Sequence, residues 1–77
     1  MTHEEFKTIR RRLGYSQEAL ARVIGVKAQS VSRYEMHNSA QQRREISEIL
    51  AQFMRLIQFL GRAETDRIMT VIDRQRH

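Results

Sequence analysis

Residues 17–34, QEALARVIGVKAQSVSRY, predict two short helices joined by a tight turn at Gly25. On the first helix, apolar residues recur at spacings that place them on one face: Leu20, Ala21 and Ile24. Gly25 lies where the chain must turn sharply, because glycine adopts a positive φ without a Cβ penalty. On the second helix, Val31 and Tyr34 are three residues apart and are expected to point back at the first.

The spacing of these residues resembles the helix-turn-helix of the Cro/CI, Xre-type repressor family. The resemblance covers roughly residues 5–37 and includes both flanks, LGYSQ at 13–17 and SRYE at 32–35. Upstream, Thr2 and Glu5 form a capping-box pattern that opens a first helix. The resemblance implies an all-α, lambda-repressor-like fold that binds double-stranded DNA. The alternative is an ordinary pair of amphipathic helices, since many helical hairpins have a glycine at the corner.

The composition favours a single, almost entirely helical domain, 1–77, without proline or cysteine. Its monomer is expected to be marginally stable, because a chain this short buries only about 60% of its unfolded surface. The net charge of +5 is spread over both halves and favours a polyanionic partner. Since no long apolar run or signal segment is visible, we expect a cytoplasmic protein that does not contact membranes.

Chemically reactive side chains show no pattern typical of an active site or a metal site. The three histidines are scattered without ligand spacing, and cysteine is absent. The chain has no nucleophile triad, no phosphate-binding glycine loop and no clustered carboxylates. We therefore expect no enzyme activity, no metal and no cofactor.

The outer face of the second helix, which spans about 27–36, carries side chains that suit the major groove of DNA. Gln29 can bind adenine and Arg33 can bind guanine, each through two hydrogen bonds, while Ala28 can contact a thymine methyl. Ser32 is small enough to approach a base or a phosphate. For Arg33 the alternative is a phosphate contact or an ion pair on its own surface.

Two further residues are expected to lie against the DNA backbone. Lys27 departs from the family, which usually has Ser or Thr there, and its charge is unfavourable at a helix N-terminus unless a phosphate neutralises it. The resemblance implies a backbone contact for Gln17, in the first turn of its helix; a solvated side chain is the alternative. The resemblance also implies a structural ion pair between Arg10 and Glu35.

The C-terminal half, about 40–75, departs from the family's pattern. Residues 40–60 lack Gly and Pro, and their apolar stripe predicts one long helix; two helices joined by a kink are the alternative. The stripe consists of Ile46, Ile49, Leu50, Phe53, Ile57 and Leu60. Gly61 is expected to end this helix, and a last helix at about 63–75 completes a compact five-helix bundle.

Apolar residues outside the centre of this stripe exceed what a small helical monomer needs. They include Met54, Phe59 and Met69, which we expect to form the interface of a homodimer. A polar terminal helix also requires a surface to dock on, because it cannot stay folded by propensity alone. The alternative is that these residues complete an intramolecular core.

These features predict a sequence-specific DNA-binding transcription regulator, acting as a dimeric repressor on a pseudo-palindromic operator of a small operon. A phage-type repressor, an antitoxin and an autoregulator all fit a chain of this length. The alternative function is a protein-interaction module, or an antitoxin, that uses the same fold mainly to bind a protein partner. The polar and basic outer face of residues 28–36 favours DNA, whereas an acidic or apolar face would favour a protein.

Overall fold

The computed structural model describes residues 1–36 and 45–76, and these ranges form an all-α structure of four helices. The helices are α1 (His3–Leu13), α2 (Gln17–Ile24), α3 (Ala28–Glu35) and α4 (Glu48–Gln75). None of the helices in the described ranges is long and apolar enough to cross a lipid bilayer.

The ends of the first two helices lie where local sequence signals place them. The side chain of Thr2 accepts a hydrogen bond from the backbone of Glu5, which completes a capping box at the start of α1. Ser16 caps α2 in the same way by accepting from the backbone of Ala19. Gly25 then ends α2 with a φ of 78°, a left-handed conformation that other residues adopt only at a cost. The predicted turn between α2 and α3 is therefore present.

The hydrophobic core lies where α4 and α1 pack against the helix-turn-helix formed by α2 and α3. Every helix contributes at least one buried apolar side chain to this core, and Tyr15 adds another from the connection between α1 and α2. The helical members are Phe6, Ile9, Leu13, Leu20, Ala21, Val31, Met54 and Ile57. Five of these eight side chains belong to α1 and α4. These two helices therefore form most of the surface against which α2 and α3 pack.

Met54 was expected at a dimer interface, and this prediction is wrong. Its side chain is completely buried in the core. Met54 lies three residues from both Ala51 and Ile57, so these three side chains share the buried face of α4. An unbranched thioether fills irregular core space well, which explains a methionine at this position.

Ile49 shows the opposite error, because it was placed on the inward stripe and is 84% exposed. It lies in the first turn of α4, and its side chain projects about a third of a turn away from the face centred on Met54. The inward and outward apolar residues of this helix overlap in spacing, so periodicity alone assigned Ile49 to the wrong face.

A single helix through residues 40–60 is also wrong, since residues 45–47 are not helical and α4 begins at Glu48. The part of that prediction that falls on residues 40–44 lies outside the described residues. Ser47 sets the start, because its side chain accepts a hydrogen bond from the backbone of Leu50 at 3.1 Å.

Gly61 interrupts α4 as the sequence indicates, with φ 83° and ψ 170°, which is not a helical conformation. Helical structure resumes directly afterwards and continues to Gln75. The last of the four helices in the described residues therefore consists of two helical segments that meet at Gly61, where the sequence predicts the break. Since the backbone leaves the helical conformation at Gly61, the direction of residues 62–75 depends on side-chain contacts.

Candidate nucleic-acid interface

An open groove runs between the start of α2 and the outer face of α3. It brings together four residues that the sequence assigns to DNA, namely Gln17, Ala28, Gln29 and Ser32. Its other lining residues are Arg10, Ser16 and Glu18. Glu18 was not among the predicted residues, because a carboxylate in the first turn of a helix is explained equally well by the helix dipole.

Lys27 and Arg33 lie beside this groove. Lys27 is the exposed N-cap of α3, and its side chain makes no capping hydrogen bond. The first backbone N–H groups of α3 therefore have no side-chain acceptor from their own cap residue. Arg33 is half-buried next to Ser32 in the last turn of α3, and it forms no ion pair within the described ranges.

The C-terminal end of α3 is fixed by a buried ion pair between Arg10 of α1 and Glu35. The Nε of Arg10 donates to one carboxylate oxygen at 2.6 Å, and its Nη2 donates to the other at 3.0 Å. Glu35 is only 6% exposed. A pair of this geometry is rigid and bidentate, so it fixes both the position and the rotation of the last turn of α3.

Two neighbours extend this ion pair. The Nη1 of Arg10 donates to the backbone carbonyl of Tyr15 at 2.9 Å. The Nε2 of Gln17 donates to Glu35 at 3.2 Å, so the side chain of Gln17 ties the start of α2 to the end of α3. These bonds join three helices around one carboxylate. A phosphate contact for Gln17 stays a prediction. The hydrogen bond to Glu35 already fixes the orientation of the Gln17 side chain.

His3 adds a further contact at the same end of α3. Its Nδ1 lies 2.7 Å from the backbone carbonyl oxygen of Tyr34. This carbonyl belongs to the last turn of α3, where backbone acceptors have no partner within the helix. With the proton on Nδ1, His3 supplies the missing donor from the first turn of α1.

A second polar cluster joins the connection between α1 and α2 to the part of α4 that follows Gly61. The hydroxyl of Tyr15 donates to Asp66 at 2.6 Å, and the Nε of Arg62 donates to the other carboxylate oxygen at 3.0 Å. The Nη1 of Arg62 also donates to the carbonyl of Gly14 at 2.6 Å. The guanidinium lies 4.2 Å from the centre of the Tyr15 ring, close enough for a cation–π interaction. We call these four residues the Tyr15 clasp.

The Tyr15 clasp shifts two pKa values in opposite directions. Burial, together with the hydrogen bond to Asp66, raises the pKa of Tyr15 to about 12. The hydrogen bond from Tyr15, together with that from Arg62, lowers the pKa of Asp66. The clasp is therefore intact only while Tyr15 keeps its proton and Asp66 has lost its own.

The stability of the protein should fall as the pH rises from about 10 toward about 12, in part because Tyr15 ionises. The folded chain holds this proton more tightly than the unfolded chain, so the stabilisation is complete below the ordinary pKa of 10.0 and is lost toward the folded value. Urea unfolding at pH 9 and pH 11 should show a decline about 1–2 kcal/mol larger in the wild type than in Tyr15→Phe. Equal declines in the two proteins would show that the hydroxyl of Tyr15 does not contribute.

Within the described ranges, no group of three or more His, Cys, Asp or Glu side chains is arranged to hold a metal ion. The polar chemistry of the site consists of the groove, the exposed start of α3 and the two clusters that hold these elements in place. Amide, hydroxyl and cationic groups arranged along one helix face can form hydrogen bonds to base edges and phosphates.

Comparison with known proteins agrees with this geometry. A family model described as helix-turn-helix matches residues 6–61, which is most of the chain. The match begins at Phe6 within α1, contains the whole of α2 and α3, and extends to the kink at Gly61. A search of curated proteins found no match, and a search of solved structures likewise found none.

Proposed function

Because this chain belongs to the Cro/CI, Xre-type helix-turn-helix family of DNA-binding transcription regulators, we propose that it represses a small operon as a homodimer on a pseudo-palindromic operator. The observation that carries the proposal is the construction of α3. The inner face of α3 is fixed by the buried Val31 and by the Arg10–Glu35 ion pair, while its outer face lines an open groove. A helix held in this way can present side chains to the major groove without being displaced by the contact.

Base recognition is assigned to the outer face of α3. Gln29 is exposed in the first turn and has the paired donor and acceptor that adenine requires. Arg33 lies one turn further along and can donate two parallel hydrogen bonds to guanine. Ala28 and Ser32 are small, so they permit close approach, and Ala28 suits a thymine methyl.

Contact with the DNA backbone is assigned to the starts of α2 and α3. Both helix ends have backbone N–H groups without helical partners and a positive dipole potential, which together favour a phosphate. Lys27 adds a full positive charge at the start of α3, and Gln17 offers an amide at the start of α2. These sequence-independent contacts would fix the depth at which α3 enters the groove.

The homodimer is supported by apolar side chains that remain exposed on α4. Phe59 is 88% exposed, and Leu56, Ile68, Val71 and Ile72 are also substantially accessible. Met69 lines a wholly apolar groove on the same element. Several large apolar side chains exposed on one helix favour an interface, and a two-fold interface would cover them by pairing this helix with its copy. Repression would follow from occlusion of the promoter by the bound dimer.

The alternative function uses the same exposed surface differently. Phe59 and its neighbours could bind a different protein, as in an antitoxin, with or without DNA on α3. The two proposals differ in what the purified chain does alone: a homodimer covers this surface with a second copy, whereas a partner-binding module leaves it open.

Selection of bound sites from random DNA duplexes tests the proposed function directly. A two-fold dimer with one α3 per subunit should select a pseudo-palindrome whose half-site centres lie about 34 Å apart, one turn of the double helix. Recovery of no enriched sequence by protein that is helical and monodisperse would reject sequence-specific repression and favour the protein-binding alternative.

Arg33→Ala should relax the sequence preference at one operator position and cost about 1–3 kcal/mol of discrimination there. Lys27→Ala is the matched comparison, because it should weaken all duplexes similarly and reduce the log–log salt slope by about 0.9, the contribution of one phosphate contact. Binding profiles at each operator position, recorded at several salt concentrations, separate the two effects. A uniform loss for Arg33→Ala with the base preferences intact would transfer Arg33 to the phosphate-binding group.

A further inference from the structure

Most side chains of residues 62–75 are exposed. The side chain of Thr65 is buried, and Arg62 and Asp66 belong to the Tyr15 clasp, so the contacts concentrate in the first turn and a half after Gly61. Beyond Thr65 no side chain of this segment is fully buried: Met69 is half-buried, and Ile68 and Ile72 are 38% and 41% exposed. Since the backbone also leaves the helical conformation at Gly61, these contacts set the direction of the segment.

Tyr15 occupies a position between two parts of the molecule. Its backbone carbonyl accepts a hydrogen bond from Arg10, the residue that holds the end of α3 through Glu35. Its hydroxyl donates to Asp66 on the segment after Gly61. The core contact of the buried Tyr15 ring makes this connection rigid, because a fixed ring places its hydroxyl at one point in space. One residue thus bonds both to the anchor of α3 and to residues 62–75.

We propose that the Tyr15 clasp is a positioning device that sets the spacing between the two α3 helices of the dimer. The inference rests on the proposed homodimer, in which the exposed apolar side chains of residues 56–72 form the interface. Any rotation of residues 62–75 relative to α1 and α2 changes the distance between the two copies of α3. The clasp resists that rotation with two hydrogen bonds that cross to residues 62–75 and a cation–π contact, while the Arg62–Asp66 bond within the segment orients both side chains.

The consequence for binding is geometric rather than chemical. The two helix-turn-helix units of a dimer bind one operator together only if the distance between their α3 helices matches the half-site spacing. A loosened clasp leaves each α3 intact, because the Arg10–Glu35 ion pair does not depend on Asp66. The loosened clasp lowers the effective concentration of the second subunit's α3 at its half-site. It also weakens the preference for one half-site spacing.

Tyr15→Phe tests the proposal with the smallest available change, since it removes one hydroxyl and keeps the buried ring. Asp66→Ala is the second variant and removes the acceptor instead. The matched control is Glu64→Gln, which breaks the Arg67–Glu64 pair at 2.6 Å on the same segment without touching α1 or α2. Each protein is titrated against the selected operator, against operators one base pair shorter and longer, and against an isolated half-site.

For both clasp variants we expect about a tenfold loss of affinity at the selected spacing, the scale of one hydrogen bond to a charged group. The loss should be smaller at the shifted spacings, so the spacing preference flattens, while half-site affinity and the dimer fraction in sedimentation stay at wild-type values. Glu64→Gln should match the wild type throughout.

Two results would overturn the proposal while leaving the homodimer in place. One is an unchanged spacing profile in both variants; the other is an equal loss on half-site and full operator, which would make the cluster a support for the helix-turn-helix alone. A wild type that sediments as a monomer would reject the homodimer and the positioning role together.

Discussion

Glu35→Ala should lower the free energy of unfolding by about 3–5 kcal/mol, the usual effect of removing one partner from a buried ion pair. Arg10 would keep its charge in a site where its side chain is only 11% exposed, with the carbonyl of Tyr15 as its remaining acceptor. A small domain has roughly 5–15 kcal/mol of total stability, so this variant should lose a large fraction of it and melt at a clearly lower temperature. Urea unfolding followed by circular dichroism at low temperature measures the loss.

Two further variants show whether the stability loss comes from leaving Arg10 unpaired or from losing the ion pair itself. Arg10→Met combined with Glu35→Leu replaces both charges by apolar groups and should recover most of the stability, because no buried charge is left unpaired. Glu64→Gln breaks the exposed Arg67–Glu64 pair and should change stability by less than about 1 kcal/mol. If Glu35→Ala is as mild as Glu64→Gln, the ion pair does not anchor α3.

Phe59→Asp should dissociate the proposed dimer and weaken operator binding by about 10²- to 10⁴-fold, the advantage that bivalent binding provides. A charge at the centre of an apolar interface loses its hydration without gaining a partner. Because Phe59 is 88% exposed in the monomer, the substitution should leave the fold and the half-site affinity unchanged. Analytical ultracentrifugation at micromolar concentration and operator titration report the two effects separately.

Gln58→Asp is the control for Phe59→Asp. It places the same charge on an exposed polar position about 100° around the same helix, beside a groove against α1, and should leave both the dimer and operator affinity intact. A wild type that is monomeric at micromolar concentration with full operator affinity would contradict the dimer. A dimer that survives Phe59→Asp would instead place the interface elsewhere.

The helix-turn-helix could be predicted because its determinants are local. Capping residues, the glycine at position 25 and the spacing of Leu20, Ala21 and Val31 all act within a few residues of each other. The ion pair of Arg10 with Glu35 spans 25 residues and followed only from the family resemblance. Local pattern alone contains no information about a contact of that kind.

The errors and omissions concern residues whose environment depends on distant parts of the chain. Met54 and Ile49 were exchanged between core and surface, because both belong to an apolar pattern wider than one helix face. The Tyr15–Asp66 hydrogen bond joins residues 51 positions apart and has no sequence signature, although the spacing of Arg62 and Asp66 shows a helical ion pair. Such contacts form only if the chain after Gly61 runs in one particular direction, and no local sequence signal predicts that direction.

The uncapped start of α3 limits how far this protein could be made more heat-resistant. A serine at position 27 would accept a hydrogen bond from the first turn of α3, and such caps contribute about 1 kcal/mol. The amide that the serine occupied would no longer be available to a phosphate, and the charge of Lys27 would be lost with it. In the proposed DNA complex, thermal stability and operator affinity therefore compete for the same backbone groups, and the engineering of more stable variants should leave Lys27 unchanged.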